Sequence, residues 1–173
     1  KKEADNMKIG VLAVQGAFIE HEHIIEKIGH EVVEIRQRKD LDGIDGIILP
    51  GGESTVQGQL LRKLDMLATI KSLIADGLPT LATCAGLILL AGHIDNDDSV
   101  HIGTLPVTVK RNAYGRQLGS FVRTAPMKGF DEFPMIFIRA PYISSVSDNV
   151  DVLAAVDDRI VAVQYNNQIG LAF

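Results

Sequence analysis

The stretch from Leu78 to Ala91 (LPTLATCAGLILLA) constrains the fold of this chain more than any other. It begins as a short β-type run, reaches Cys84, the single cysteine of the sequence, and continues as an apolar segment typical of a buried helix. A nucleophile on a tight turn between strand and helix needs small neighbours two residues away on either side, and Ala82 and Gly86 occupy those positions. The start of a helix also favours the thiolate form of a cysteine. A buried structural cysteine fits the same stretch, since free cysteine is often buried.

Composition narrows the class of protein. A length of 173 residues predicts one domain, over residues 7–173, and the 46% hydrophobic and 23% charged residues are ordinary for a globular protein. Residues 1–6 are polar, and we interpret them as an N-terminal extension or expression remnant before Met7. A net charge of −5 without a basic stripe argues against nucleic-acid binding. No apolar run reaches the roughly 18 residues that a membrane span needs, which argues against a membrane partner.

The single cysteine and the acidic loop predict whether the chain binds a metal ion, and the cysteine also predicts the cellular compartment. One cysteine allows neither an intramolecular disulfide nor a cysteine-cluster metal site, so we expect a cytoplasmic protein. The acidic loop at residues 95–99 has Val100 and Pro106 where a calcium loop needs glycine and glutamate, and is interpreted as a solvated turn. The prediction is therefore no metal site.

The order of apolar segments predicts an α/β fold. Residues 8–14, 32–35 and 44–49 are short apolar runs without alternation, and residues 17–28 between the first two have helical spacing. Such strands separated by helices indicate a mostly parallel central sheet covered by helices on both faces. From Gly103 onward the pattern alternates, and Asp157-Asp158 and Asn166-Asn167 separate three hairpin strands. The C-terminal half is therefore expected to be a β-rich extension of the same domain.

A glycine-rich turn, PGGEST at residues 50–55, leads from the third strand into a helix. Ser54 is a plausible N-cap, and the following apolar repeat up to Gly77 suggests two helical pieces broken near Asp65. Two adjacent glycines let backbone N–H groups approach a ligand closely. An ordinary tight turn is the alternative, and a P-loop is excluded because the Lys-Ser/Thr pair is missing.

Five segments together resemble the triad-type (class I) glutamine amidotransferases, and among them the glutaminase subunits of pyridoxal 5′-phosphate synthase. The resemblance spans about residues 7–173 and rests on the following segments: 10–17 (GVLAVQGA), 49–55 (LPGGEST), 83–87 (TCAGL), 111–117 (RNAYGRQ) and 137–141 (FIRAP). It implies a flavodoxin-like class I glutamine amidotransferase fold and needs no cofactor. It also implies hydrolysis of L-glutamine to L-glutamate and ammonia, with the ammonia passing to a barrel-shaped synthase subunit that makes pyridoxal phosphate (vitamin B6).

The same resemblance assigns roles to particular residues. It implies that Cys84 is the nucleophile, forming a γ-glutamyl thioester. The remaining roles are implied for these groups: an oxyanion hole at Gly51, Gly52 and Ala85; glutamine binding by Gly52, Glu53, Ser54, Arg111, Ile138 and Arg139; and a partner interface around Gln15, Gly16 and His21.

The sequence departs from the family most at its end. Relatives continue past Gly-Leu-Ala-Phe with a His-Pro-Glu segment that carries the other two triad members, and this sequence stops at Phe173. The triad histidine and glutamate are therefore expected beyond Phe173, and none of the five histidines lies in a matching motif. Without that histidine, Cys84 lacks the base that removes its proton.

Two other classes of function remain open on the sequence. A catalytically silent module that only docks on a partner is favoured by the missing histidine. A stand-alone cysteine hydrolase is compatible with a flavodoxin-like scaffold, since one fold hosts many activities. A His-Pro-Glu tail in the parent gene would favour the amidotransferase, and strong activity of the isolated full-length chain would favour the hydrolase.

Overall fold

The computed structural model describes residues 6–111 and 120–173. Its first half alternates strands and helices, with a short 3₁₀ helix (Arg38–Leu41) after the second strand. These elements are β1 (Lys8–Leu12), α1 (Ile19–Lys27), β2 (Glu31–Ile35), β3 (Gly46–Leu49), α2 (Ser54–Lys63), α3 (Leu67–Ala75), β4 (Thr80–Thr83) and α4 (Ala85–Leu90). The second half consists of strands: β5 (Ala91–Ile94), β6 (Leu105–Lys110), β7 (Ser120–Met127), β8 (Phe130–Ile138), β9 (Tyr142–Val146), β10 (Asp151–Val156), β11 (Arg159–Tyr165) and β12 (Gln168–Leu171).

Within the described residues, ten strands form one mixed sheet and β7 and β8 form a separate hairpin. The order in the large sheet is β2-β1-β3-β4-β12-β11-β9-β6-β5, with β10 also paired to β11. Strands from β2 to β12 run parallel, whereas β11 pairs antiparallel with β12, β10 and β9. The predicted α/β class is confirmed, and the parallel part coincides with the predicted βα units.

The last described strand joins the two parts of the sheet. Strand β12 lies between β4 and β11, with Gln168 opposite Thr80 and Leu171 opposite Thr83. The parallel pairing brings the end of β12 beside the end of β4, where Cys84 follows. The C-terminal strand therefore forms part of the surroundings of the cysteine.

The apolar segment after Cys84 divides between two elements. Every residue of α4 is buried, and Leu87, Leu89 and Leu90 are fully inaccessible to solvent. The helix ends after six residues, and the chain continues directly into β5 at Ala91. Apolar composition predicts this burial, but it cannot locate the change from helix to strand because both elements are buried here.

The predicted break between two helices is confirmed at Asp65. This residue has φ 56° and lies between α2 and α3. The buried face of the helix pair centres on Leu61, Met66, Ile70 and Ile74, whereas Leu64 at the end of α2 is 40% exposed.

The predicted hairpins at the C-terminal end are confirmed as well. Asp157 and Asp158 both have positive φ, 50° and 62°, as a type I′ turn between β10 and β11 requires. Asn166 has φ 50° in the next turn. No helix in the described part of the chain is long and apolar enough to cross a membrane.

Asn167 connects this last turn to the helical layer. Its Nδ2 donates to the carbonyl oxygens of Ile74 at 2.9 Å and Leu78 at 2.7 Å. Its own carbonyl oxygen accepts the N–H of Thr80 at 2.9 Å. One side chain thus satisfies a carbonyl group in the last turn of α3 and another in the link from α3 to β4, and holds β12 in register with β4.

We expect Asn167→Ala to lower the free energy of unfolding by about 1–3 kcal/mol, because two part-buried carbonyl oxygens lose their donor. Thermal or denaturant unfolding measures the change. Asn149→Ala, at an exposed asparagine, is the control and should change stability by less than about 0.5 kcal/mol. Equal stability of the two variants would contradict the role of the Asn167 amide.

Candidate active site

Cys84 lies at the predicted turn between β4 and α4. Its backbone has φ 49° and ψ −108°, a conformation that non-glycine residues adopt only at a cost of about 1–3 kcal/mol. Its N–H donates to the carbonyl oxygen of Leu171 in β12 at 2.9 Å. The turn is therefore fixed by the neighbouring strand, and the cysteine is held in a strained position of the kind that proteins retain at functional sites.

Gly86 explains why the turn needs small residues. A Cβ atom at this position would lie 2.7 Å from the carbonyl carbon of Leu49 and closer still to the carbonyl oxygen. Since that obstacle is the backbone of β3, a side chain at position 86 would push α4 away from the sheet. Ala82, on the other side of the turn, is fully buried. The predicted crowding around Cys84 is present in the structure.

The thiol of Cys84 is partly buried and neutral. Its Sγ donates to the carbonyl oxygen of Ala172 at 3.6 Å. Burial raises the pKa of Cys84 to about 11, which contradicts the expectation that the helix start would favour the thiolate. The helix has only six residues, so burial outweighs its dipole. Among the described residues, no histidine hydrogen-bonds to Sγ. Attack by this thiol therefore requires a base.

The glycine-rich turn lies directly beside the cysteine. A Cβ atom placed on Gly51 would be 3.5 Å from the Cβ of Cys84, with no other atom within 4 Å outside its chain neighbours. The structure thus brings two of the predicted oxyanion-hole residues, Gly51 and Gly52, to the same corner as Cys84 and Ala85. Backbone N–H groups at such a corner can stabilise an oxyanion without help from side chains.

The turn at Gln15 and Gly16 packs against the glycine-rich turn. Ala17 N–H donates to the carbonyl oxygen of Gly51 at 3.0 Å, and Glu53 N–H donates to Oε1 of Gln15 at 2.9 Å. Gly52 has φ 155°, and a Cβ atom there would lie 2.9 Å from the Cα of Gly16. Two of the predicted interface residues are therefore in contact with the predicted oxyanion turn.

His21 lies one helical turn further along, in α1. It is half-buried, and burial lowers its pKa from the ordinary value, with Glu20 acting in the opposite direction. Ile24 in α1 and Ile28, the residue that caps the C-terminal end of this helix, are 59% and 64% exposed. The helix thus presents apolar side chains to solvent near the histidine.

Ser54 and Gln57 are buried at the start of α2. The predicted N-cap at Ser54 is wrong: Glu53 is the cap residue, without a side-chain cap hydrogen bond, and Ser54 is the first helical residue. Ser54 is 2% exposed and Gln57 is fully buried, yet within the part of the chain that the structure describes Oγ of Ser54 and Oε1 of Gln57 have no hydrogen-bond partner. Sequence reasoning missed Gln57. Its spacing from Leu61, the centre of the buried face, could have placed it on the inward side of the helix.

Arg111 lies near the same helix start. Its guanidinium group is 3.6 Å from Oδ2 of Asp97 and 3.4 Å from Oγ1 of Thr55. The pKa of Asp97 is lowered mainly by hydrogen bonds from Ser99, and Arg111 contributes. Because Thr55 follows the glycine-rich turn, the structure places the guanidinium group beside the predicted glutamine-binding residues. Residues 112–117, the rest of the predicted motif, lie outside the described residues.

Ile138 is the last residue of β8, and Arg139 follows it. Ile138 is 62% exposed, and Arg139 is exposed with a left-handed φ of 45°. The preceding Phe137 packs on Phe173 with ring centroids 5.7 Å apart, and Phe173 follows the Ala172 carbonyl that accepts the thiol. The strand end is therefore connected to the cysteine through the C-terminal residues, although no hydrogen bond joins either residue to the glycine-rich turn.

Within residues 6–111 and 120–173, no group of three or more His, Cys, Asp or Glu side chains is placed to hold a metal ion. The candidate site thus consists of the cysteine, backbone donors of the glycine-rich turn, and one arginine.

Comparison with solved structures defines the class of protein. A crystal structure of a glutamine amidotransferase superposes with a TM-score of 0.91 and 36% sequence identity, covering 95% of this chain and 88% of that chain. The fold of this chain, with its cysteine at a strand–helix turn, is therefore that of a glutamine amidotransferase.

The chain belongs to the SNO glutamine amidotransferase family, whose model matches residues 11–173. It is 58% identical over 168 residues to the pyridoxal 5′-phosphate synthase subunit PdxT of Desulfitobacterium hafniense (strain DSM 10664 / DCB-2), covering 96% of this chain and 84% of that protein. It is 51% identical over 171 residues to the subunit of the same name from Streptococcus pneumoniae (strain CGSP14), covering 96% and 88%. The resemblance found in the sequence is confirmed.

The raised pKa of Cys84 predicts a steep pH dependence for alkylation of the 173-residue chain. At neutral pH only about one thiol in ten thousand is ionised, so the rate of iodoacetamide alkylation should rise about tenfold per pH unit up to about pH 10. Mass spectrometry follows the modification, and Cys84→Ser is the control because the sequence has no other cysteine. A rate that levels off below about pH 9 would mean that burial does not govern this thiol.

Proposed function

We propose that this protein hydrolyses L-glutamine to L-glutamate and ammonia with Cys84 as the nucleophile. The observation that carries the proposal is the position of Cys84 on a strained turn, with Gly51 and Ala85 as its immediate neighbours. We further propose that it works in the cytoplasm and delivers ammonia to the synthase subunit of pyridoxal 5′-phosphate synthase. The PdxT names of its relatives support this assignment.

The first chemical step is attack of Sγ on the side-chain carbonyl carbon of glutamine. A base takes the thiol proton, the tetrahedral oxyanion forms, and the C–N bond breaks as the leaving nitrogen receives a proton and departs as ammonia. Water then attacks the γ-glutamyl thioester, releases glutamate and restores the thiol. Since the pKa of Cys84 is about 11, the base is indispensable. We assign this role to the histidine of the His-Pro-Glu segment expected after Phe173.

Backbone N–H groups would stabilise the oxyanion. Ala85 follows the nucleophile at the start of α4, where its N–H has no partner within the helix. The peptide between Gly51 and Gly52 would supply a second donor from the opposite side. In comparable sites one such donor contributes about 3–4 kcal/mol to transition-state stabilisation.

Glutamine would be held by the start of α2 and by Arg111. The side chain of Arg111 is 31% exposed, and its contacts with described residues, to Asp97 at 3.6 Å and to Thr55 at 3.4 Å, are long, so it can pair with the amino-acid carboxylate. Ser54 has a buried hydroxyl group without a partner, which supports a contact with substrate. Gly52 and Glu53 complete the binding turn, and Ile138 and Arg139 are proposed as further contacts.

The synthase subunit would dock on the first strand–helix unit. Gln15 and Gly16 contact the glycine-rich turn from one side, and His21 lies beside the exposed Ile24 and Ile28 on α1. Exposed isoleucines close to one another are typical of a protein–protein interface. A partner bound here would lie next to the oxyanion turn and could control its geometry.

Glutaminase assays of the full-length protein with the synthase subunit test the assignment. Wild-type protein should release glutamate, and a glutamine analogue with an electrophilic side chain should label Cys84. Cys84→Ala should reduce kcat by at least about a thousandfold and prevent labelling, since the covalent route is removed. Glutaminase activity should be weak without the synthase subunit. Activity that survives in Cys84→Ala would refute the nucleophile, and a wild-type protein inactive with its partner would favour a silent docking module.

Arg111→Ala should raise the KM for glutamine about tenfold or more, because a charged contact to the carboxylate is worth about 1.5–3 kcal/mol. Thermal stability should change little, since the ion pair of Arg111 with Asp97 is partly exposed. Arg123→Ala is the matched control: this arginine pairs with Asp157 on the surface at 3.1 Å, and its loss should leave KM unchanged. Identical KM values for the two variants would remove Arg111 from the glutamine site.

A further inference from the structure

We propose that Gln57 is a positioning residue that holds the glycine-rich turn and connects it mechanically to the docking surface at Gln15 and Gly16. The inference rests on the proposed function, because it assumes that the turn supplies oxyanion donors and that the partner binds at Gln15. It concerns a residue outside the motifs that carry the family resemblance.

The amide of Gln57 bridges the two turns. Its Nε2 donates to the carbonyl oxygen of Gln15 at 3.1 Å and to that of Pro50 at 3.3 Å. The amide orientation follows from these partners, since Oε1 in the same place would face two acceptors. Both donor hydrogens are thus used, one for each turn.

Because the Gln57 side chain is buried, its hydrogen bonds to the two turns are a permanent part of the site. Gln57 is fully buried on the inward face of α2, so water cannot replace its hydrogen bonds. Two more hydrogen bonds join the same two turns. The N–H of Ala17 donates to the carbonyl oxygen of Gly51, and the N–H of Glu53 donates to Oε1 of Gln15. A displacement of Gln15 therefore reaches Pro50 through the Gln57 amide, in addition to the direct contacts that Gly51 and Glu53 make with the first turn.

The contact with Gly52 shows how the amide limits the turn. A Cβ atom on Gly52 would lie 3.0 Å from Nε2 of Gln57 and 2.5 Å from Oε1 of Gln15. Gly52 has φ 155°, which a side chain would disfavour, so the peptide keeps the freedom to reorient that only glycine offers. Any reorientation of the peptide at Gly52 is limited by the neighbouring amide of Gln57.

A second observation that supports the role of Gln57 concerns the oxygen atom of its side-chain amide. Oε1 of Gln57 is buried and has no hydrogen-bond partner among residues 6–111 and 120–173, and a buried acceptor of this kind is rare in folded proteins. A methionine or leucine would fill the same space without this penalty. The polar group is therefore better explained by its link between the turns than by stability.

The test measures glutaminase activity of full-length Gln57→Met with and without the synthase subunit. Methionine keeps the length of the side chain but cannot donate to either carbonyl oxygen. We expect the stimulation by the synthase subunit to fall on the order of tenfold or more, as when one oxyanion donor is misplaced. KM for glutamine should change less than about twofold, because Arg111 is untouched. Alkylation of Cys84 by iodoacetamide, which needs no oxyanion hole, should keep its wild-type rate.

Gln168→Met is the matched control. Gln168 is another buried glutamine, 3% exposed, whose amide donates to the carbonyl oxygen of Thr104 at 3.1 Å and accepts from its hydroxyl group at 2.8 Å. It connects neither turn, so its variant should lose stability but keep the stimulation by the synthase subunit. Comparison of Gln168→Met with Gln57→Met therefore distinguishes the effect of losing any buried amide from the effect of losing the link between the two turns.

Stimulation of Gln57→Met at the wild-type level would overturn the inference, and so would an equal fall in kcat with and without the partner. If Gln57→Met does not unfold cooperatively on heating, Gln57→Glu replaces it, since a protonated carboxyl group keeps the shape and offers one donor in place of two. Full stimulation of Gln57→Glu would likewise overturn the inference. If the proposed function itself is wrong, Cys84→Ala retains its glutaminase activity. That result is distinct from every outcome for the Gln57 variants.

Discussion

Pairing of β12 with β4 is the interaction on which the arrangement of the site depends. The φ of 49° at Cys84 is held by two carbonyl groups, one at the end of β12 and one in the residue that follows the strand. The carbonyl oxygen of Leu171 accepts the N–H of Cys84, and the carbonyl oxygen of Ala172 accepts its thiol. From the other side, the backbone of Leu49 leaves no room for a side chain at Gly86. Cys84 is therefore fixed by three strands that are far apart in the sequence, and the glycine-rich turn reaches it because β3, which precedes that turn, is the direct neighbour of β4.

The electrostatics of the site follow from this packing. Enclosure by strands removes water from the thiol, and that loss of solvation raises the pKa of Cys84 to about 11. A thiol in this state is protected from unwanted oxidation and alkylation, since both reactions use the thiolate. The same enclosure makes a base essential for catalysis, because a helix of six residues cannot compensate for it. The position of Cys84 and the ionisation of its thiol are thus separate requirements for catalysis. The described residues fix the position, whereas ionisation depends on a proton acceptor placed next to Sγ.

The sequence predicted those parts of the fold that depend on local patterns. Apolar runs located β1, β2 and β3, small residues located the cysteine turn, and paired polar residues located the hairpin turns at Asp157 and Asn166. The strand β9 was missed because its sequence, YISSV, is half polar and has no regular alternation. Ser54 was assigned as an N-cap from its residue type, although the chain begins the helix one residue earlier and buries the hydroxyl group. The protonation of Cys84 and the bridge by Gln57 could not be predicted, since both arise from contacts between segments distant in sequence.

The contact between the two turns gives the site a physical basis for control by a partner. Gln15 and Gly16 are partly accessible, while the atoms that they contact, at Gly51, Glu53 and Gln57, belong to the turn beside the nucleophile. A protein that binds the exposed side of α1 therefore needs to move the backbone only slightly to change the orientation of a peptide next to Cys84. Glycine at positions 51 and 52 keeps the energetic cost of such a change low. In the proposed role of Gln57, its buried amide limits this change, so a turn without the Gln57 contact would respond weakly to the partner.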